Sequence, residues 1–164
     1  ELADVTDSKS VGSDTVSVES DHRHQRGRCR IVSTSLVFYQ YHKEDGTVRE
    51  IRRTEISDEW AHSGIVEAGD YVFISYCMGN EGQPIENQIH GAFDVLSERL
   101  ETVGLTLASV VKMDCLFKDI ADLSYLGEII KQRLGGTYPS RKAFETKFVR
   151  EGIHFQVDAI AFRG

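Results

Sequence analysis

Tyr138-Pro139-Ser140-Arg141 and, after a short gap, Phe155-Gln156-Val157-Asp158-Ala159-Ile160-Ala161 stand near the end of the chain. The second run reads as a strand over 154–162. Lys142–Phe148 reads as the strand before it, with a turn around Arg150-Glu151-Gly152. Gln156 and Asp158 are two residues apart, so their side chains share one strand face.

Working back from this end, Gly135-Gly136 stops a helix whose Leu123, Leu126, Ile130 and Leu134 form one stripe, with Asp122 as its expected cap. Val110–Lys118 reads as a strand. Val111, Met113, Cys115 and Phe117 alternate there with Lys112, Asp114 and Lys118. A longer helix spans about 85–103, with Ile89, Phe93, Leu96, Leu100 and Val103 at helical spacing and Gly104 just past its end. Before it, Gly79–Pro84 is a loop. The apolar run Tyr71-Val72-Phe73-Ile74-Ser75-Tyr76-Cys77 is expected to be a strand buried on both faces.

Leu36–Tyr41 and Val48–Ile56 read as a hairpin about the turn Glu44-Asp45-Gly46-Thr47. Residues 1–29 read as a disordered tail, rich in Ser, Asp and Thr and without an aromatic residue. Residues 30–47 then form an extra strand or hairpin arm on a domain over 48–164. Asp21-His22-Arg23-His24 in the tail is only a weak metal pattern, and solvated polar chain is the simpler reading. The order of elements predicts an α+β fold: a mixed sheet with two helices packed on one face. Apolar residues on both faces of several strands imply a second subunit against the other face.

The net charge of −7 argues against nucleic acid and anionic membranes as partners. No apolar run approaches the roughly 20 residues needed to span a bilayer, and Glu1-Leu2-Ala3-Asp4, without a basic or an apolar region, is not expected to open a signal peptide. Cys29, Cys77 and Cys115 form no CxxC pair, which fits a reducing, cytoplasmic setting. Cys77 and Cys115 read as small buried hydrophobes. No P-loop, dinucleotide fingerprint or nucleophile elbow is present.

From about Val48 to Gly164 the chain resembles the RidA/YjgF (reactive intermediate deaminase) family. The resemblance rests on Gly69-Asp70-Tyr71-Val72-Phe73-Ile74-Ser75, Val110-Val111-Lys112 through Asp119, Pro139-Ser140-Arg141 and Asp158-Ala159-Ile160-Ala161, in that order and spacing. It implies a chorismate-mutase-like α+β fold and a homotrimer with ligand clefts between subunits. It also implies hydrolysis of small imines or enamines to keto acids and ammonia, with no metal or organic cofactor. Arg141 matches the family's Pro-x-Arg arginine, whose planar guanidinium suits a ligand carboxylate.

The family's water-positioning glutamate falls at Gln156. An amide hydrogen-bonds water but does not take its proton at neutral pH. Asp158 falls on the second acidic position of the pattern. Other departures are His62 where a cleft tyrosine is usual, Tyr76-Cys77 after Ser75 where Gly-Gln is usual, and Gly127 where asparagine is common.

The candidate site is therefore Gln156 and His62 for catalysis, with Arg141, Ser75 and Tyr76 for substrate binding. Each has a plainer reading. Arg141 can be a surface or interface ion pair, Ser75 a strand-end hydroxyl satisfying backbone, His62 an interface histidine, and Gln156 a structural hydrogen bond. His90 and His154 read as helix-surface and strand-face residues, and no spacing gathers three metal ligands. Two functions stay open: a RidA-like enzyme acting on a small imine, enamine or related carboxylate, and a non-catalytic RidA-like module that binds a small carboxylate.

Overall fold

The computed structural model describes the backbone of residues 28–33 and 36–42, and residues 48–164. The expected tail, the histidine pattern at 22–24 and the turn at 44–47 lie outside the described residues. The strands are β1 (Arg28–Ser33), β2 (Leu36–His42), β3 (Val48–Ser57), β4 (His62–Ala68), β5 (Tyr71–Cys77), β6 (Val110–Phe117), β7 (Ser140–Glu145) and β8 (Phe155–Phe162). The helices are α1 (Ile85–Thr102) and α2 (Leu123–Leu134). One sheet runs in the order β1-β2-β3-β4-β5-β8-β6-β7. Among the described strands only β6 and β7 pair in parallel; the other neighbours, including the expected β2–β3 hairpin, are antiparallel.

Both helices lie on one sheet face. Ile89, Phe93, Leu96 and Leu100 of α1 and Leu126, Ile130 and Leu134 of α2 are buried against Val72, Ile74, Met113, Cys115, Phe117, Phe155 and Val157. The helical stripes read from sequence are thus the core, and truncating a phenylalanine such as Phe93 costs about 3–5 kcal/mol. Gly135 ends α2 in the left-handed conformation at φ 55°, where a side chain would be strained.

The structure corrects several expectations. The strand β4 was not anticipated, because the short stretch His62–Ala68 carries a weak apolar signal and gains its place by pairing with β3 and β5. The strand expected over 142–148 is β7, which begins at Ser140 and ends at Glu145; beyond it, the Thr146 amide donates to the Phe117 carbonyl at 2.8 Å.

Asp122 does not cap α2. The nearby Asp119 side chain instead accepts from the Ala121 amide at 2.9 Å, holding a 3-10 turn before the helix. Val111 is exposed, because the β6–β8 register shifts between Val110 and Lys112, turning Val110 into the core instead. Within the single chain β5 is covered on one face only: Val72 and Ile74 are buried, while Tyr71 and Phe73 are exposed.

Candidate functional site

Four of the five candidate residues meet where β4, β5 and β8 run side by side. β5 breaks register with β8 between Ile74 and Cys77, and Tyr76 sits there at φ 58°. A non-glycine residue in that region needs support from its surroundings. Two side chains give it. The Tyr76 amide donates to Asp158 Oδ1 at 2.8 Å, and the ring stacks on His62 with centroids 4.7 Å apart and planes 14° apart. Gln156 Nε2 donates to the same Asp158 oxygen at 3.0 Å. Ser75 Oγ donates to the Ser63 carbonyl at a long 3.4 Å.

Gln156 is 7% exposed and donates an amide N–H to Asp158. Asp158, in contrast, lines a concavity of about 210 Å³ with Ser63, Ser75, Phe73, Lys112 and Asp114 on the helix-free face. Lys112 Nζ and Asp114 Oδ2 form an ion pair at 2.5 Å, and Asp114 stands directly across from Asp158 in the β6–β8 register. Two carboxylates and an ammonium therefore share one patch. Nδ1 of His62 is buried without a hydrogen-bond partner among the described residues. An unsatisfied buried polar atom is uncommon and calls for an explanation.

Arg141 stands apart from this group. It shares a face of β7 with Ala143, which packs on the core. It lines a second concavity, about 390 Å³, with Tyr138, Pro139 and Gly127, Ile130 and Lys131 of α2. A Cβ built on Gly127 meets nothing within 4 Å, so the glycine widens this space. Arg141 has no ion-pair partner among the described residues. The single chain thus presents two half-sites: a guanidinium beside α2, and a His62–Tyr76–Asp158–Gln156 group on the opposite sheet face.

Beneath the second group lies a brace that sequence reading missed. Arg99 reaches from α1 to the Ser75 carbonyl at 2.5 Å, the Cys77 sulfur at 3.5 Å and Glu55 Oε2 at 2.6 Å. Its only sequence signal was a charge whose neighbours at helical spacing, Val95, Leu96 and Val103, are apolar. Burial pushes the Cys77 thiol up to about 11, against the opposing pull of Arg99. Burial likewise pushes Cys115 up to about 12, against the pull of Arg141. Neither thiol is a nucleophile in that state.

The His154 ring Nε2 lies 3.4 Å from Lys118 Nζ, and His90 Nδ1 lies 3.2 Å from Arg133 Nη2. Among the described residues no cluster of His, Cys, Asp and Glu has metal-binding geometry, and no helix is long and apolar enough to cross a membrane.

A mixed antiparallel-dominated sheet with two helices on one face, and a Pro-x-Arg strand edge beside the second helix, defines the chorismate-mutase-like class of α+β proteins. Residues 53–163 match the family described as endoribonuclease L-PSP. A solved protein from Streptococcus pyogenes M1 GAS, described as a member of the yjgF family, is 47% identical with a TM-score of 0.67, covering 68% of this chain and 95% of that one. The chain belongs to the RidA/YjgF family.

A Homo sapiens protein named 2-iminobutanoate/2-iminopropanoate deaminase is 30% identical over 69 residues, 42% of this chain and 50% of that protein. Its Rattus norvegicus counterpart of the same name is 33% identical over 69 residues, again 42% of this chain and 50% of that protein. The chain spans about half the length of these curated relatives.

Proposed function

We propose that this protein binds a small carboxylate-bearing imine or enamine and hydrolyses it to a keto acid and ammonia. The observation that carries the reading is Arg141: an arginine with no ion-pair partner among the described residues, lining a concavity beside Gly127 and Tyr138. A guanidinium in that setting takes a carboxylate through two parallel hydrogen bonds and stays charged at any working pH. The names of the mammalian relatives support the imine as the reacting group.

The two half-sites lie on opposite faces of one sheet, so the reading requires a second copy. Arg141 of one subunit meets the Ser75–Tyr76–His62 group of another in a homotrimer. Exposed Tyr71, Phe73 and Phe162 on the helix-free face supply apolar surface for that contact. In this arrangement Ser75 and Tyr76 shape the ligand pocket, His62 stacks on Tyr76, and Gln156 holds the polar end of β8 in place. The chemistry needs no metal or organic cofactor, and buried, unpaired Cys77 and Cys115 fit a reducing cytoplasm.

The second reading, a module that binds a small carboxylate without turnover, is favoured by one observation: the position expected to carry a glutamate holds Gln156. One experiment separates the two. 2-Aminoacrylate is generated in situ and pyruvate formation is followed for the wild type and for Arg141→Ala. A rate above background that Arg141→Ala abolishes supports the enzyme. No rate, together with keto-acid binding that Arg141→Ala removes, supports the binding module.

A further inference from the structure

From the geometry around β8 we infer that Asp158, not residue 156, is the carboxylate that accepts the proton of the attacking water, with Gln156 as the positioning residue that aims it. The inference rests on the deaminase reading and assigns its missing base.

Three observations lead there. Gln156 is 7% exposed, lines neither concavity, and donates one amide N–H to Asp158 at 3.0 Å. Asp158 lines the helix-free concavity next to Ser75 and Ser63. Its Oδ1 accepts two N–H donors, from Tyr76 and Gln156, while no donor among the described residues occupies Oδ2. Two donors on one oxygen hold the carboxylate plane and leave the other oxygen free for a water, which is the preorganisation a general base needs. A glutamine at 156 is then a coherent choice. A glutamate there would set a second negative charge against the Asp158 oxygen that the amide now satisfies.

The proposed step balances without an added reagent. The water oxygen bonds to the carbon of the protonated imine, the C=N electron pair moves onto nitrogen, and one water proton passes to Asp158 Oδ2. Asp158 returns that proton to the amine nitrogen. The C–N bond then breaks with its electron pair leaving on ammonia, while the hydroxyl passes its proton to the regenerated Asp158 carboxylate, becomes the keto oxygen, and that proton leaves with ammonia as ammonium. The sum is protonated imine plus water to keto acid plus ammonium.

The test uses the full chain, in situ 2-aminoacrylate and two variants. Asp158→Asn keeps an oxygen that can accept from Tyr76 and Gln156, so the bulge is retained; the stacked His62–Tyr76 ring-current shift verifies this by NMR. The inference expects Asp158→Asn to lower kcat by about 100-fold or more with KM little changed, and to flatten the acid limb of the kcat/KM profile. It expects Gln156→Glu to give no gain in kcat and to move that acid limb to higher pH, because a second carboxylate disfavours ionisation of the first. An Asp158→Asn protein within about threefold of wild type, or a Gln156→Glu protein more than about tenfold faster, overturns the inference and leaves the deaminase reading standing. A wild type with no pyruvate above background overturns both.

Discussion

Arg99 Nη1 donates to the carbonyl oxygen of Ser75 at 2.5 Å, joining the last turn of α1 to the bulge that carries the candidate pocket. The same guanidinium holds Glu55 at 2.6 Å, and Glu55, like Tyr76, has a positive φ, at 52° against 58°. One half-buried side chain therefore ties down two backbone positions that local preference disfavours. The arginine is the less exposed partner, at 17% of its side chain against 42% for Glu55.

Arg99→Met is expected to keep the hydrophobic stem and lose all three polar contacts. The Ser75 carbonyl loses its partner and Glu55 falls back on solvent. A destabilisation of about 1–3 kcal/mol follows, kept below the fully buried case because Glu55 is partly hydrated. A urea midpoint shift measures it, and the His62 ring protons should move towards unstacked positions as Tyr76 is released.

Gly79 and Gly127 respond oppositely to the same change. A Cβ at Gly79 falls 2.5 Å from the backbone carbon and oxygen of Gly91 in α1, so Gly79→Ala must push the loop after β5 off the helix. The cost is about 1–3 kcal/mol. Gly127 lies inside α2 with nothing within 4 Å of an added Cβ. Gly127→Ala should stabilise by about 0.5–1 kcal/mol, through helix preference alone. Thermal denaturation of the two variants gives the opposite signs.

Gly127→Asn tests the pocket rather than the helix. It fills part of the space beside Arg141, so keto-acid ligands with long side chains should lose more affinity than pyruvate in a titration. Equal losses across the series would remove Gly127 from the ligand site.

Cys77 and Cys115 set an alkaline limit. Both thiols have folded-state values above the ordinary 9.0, about 11 and about 12, because burial disfavours the thiolate. Below pH 9 both folded and unfolded chains keep these protons, so stability does not depend on them. Between about 9 and 11–12 the unfolded chain has lost protons that the folded one retains, so stability falls with rising pH, by up to ~1.4 kcal/mol per unit for each thiol. Denaturation midpoints from pH 8 to 10.5 should turn downward near 9, and Cys77→Ser/Cys115→Ser should flatten the turn. At pH 8 neither native thiol should react with a disulfide reagent until the chain unfolds.

Much of the fold was legible because it rests on periodicity. The stripe Ile89, Phe93, Leu96 and Leu100 is visible at helical spacing, and it is the stripe buried on the sheet. Where periodicity was weak, the reading failed. Strand β4 owes its form to two flanking strands, and Val111 left the alternating face because a register shift lies beside it. Gln88 shows a further kind of blindness. It is fully buried, and bonds the Gln83 and Gly152 carbonyls at 2.8 and 3.0 Å and the His154 amide at 2.8 Å. Nothing in its neighbours along the chain marks a glutamine as a fully satisfied core residue.

Of the candidate site, the residue types and the absence of a glutamate at 156 could be read directly, and so could the shared strand face of Gln156 and Asp158. Periodicity and motif spacing are properties of neighbours along the chain, so the sequence by itself determined the family, the helices, most strands and the residues to inspect. Only the tertiary structure decided that His62 stacks on Tyr76, that Gln156 donates to Asp158, and that Arg141 lies on the other face of the sheet from both. Those relations depend on strand order, a bulge and a half-buried arginine from a distant helix, and such through-space contacts leave no periodic trace in the sequence.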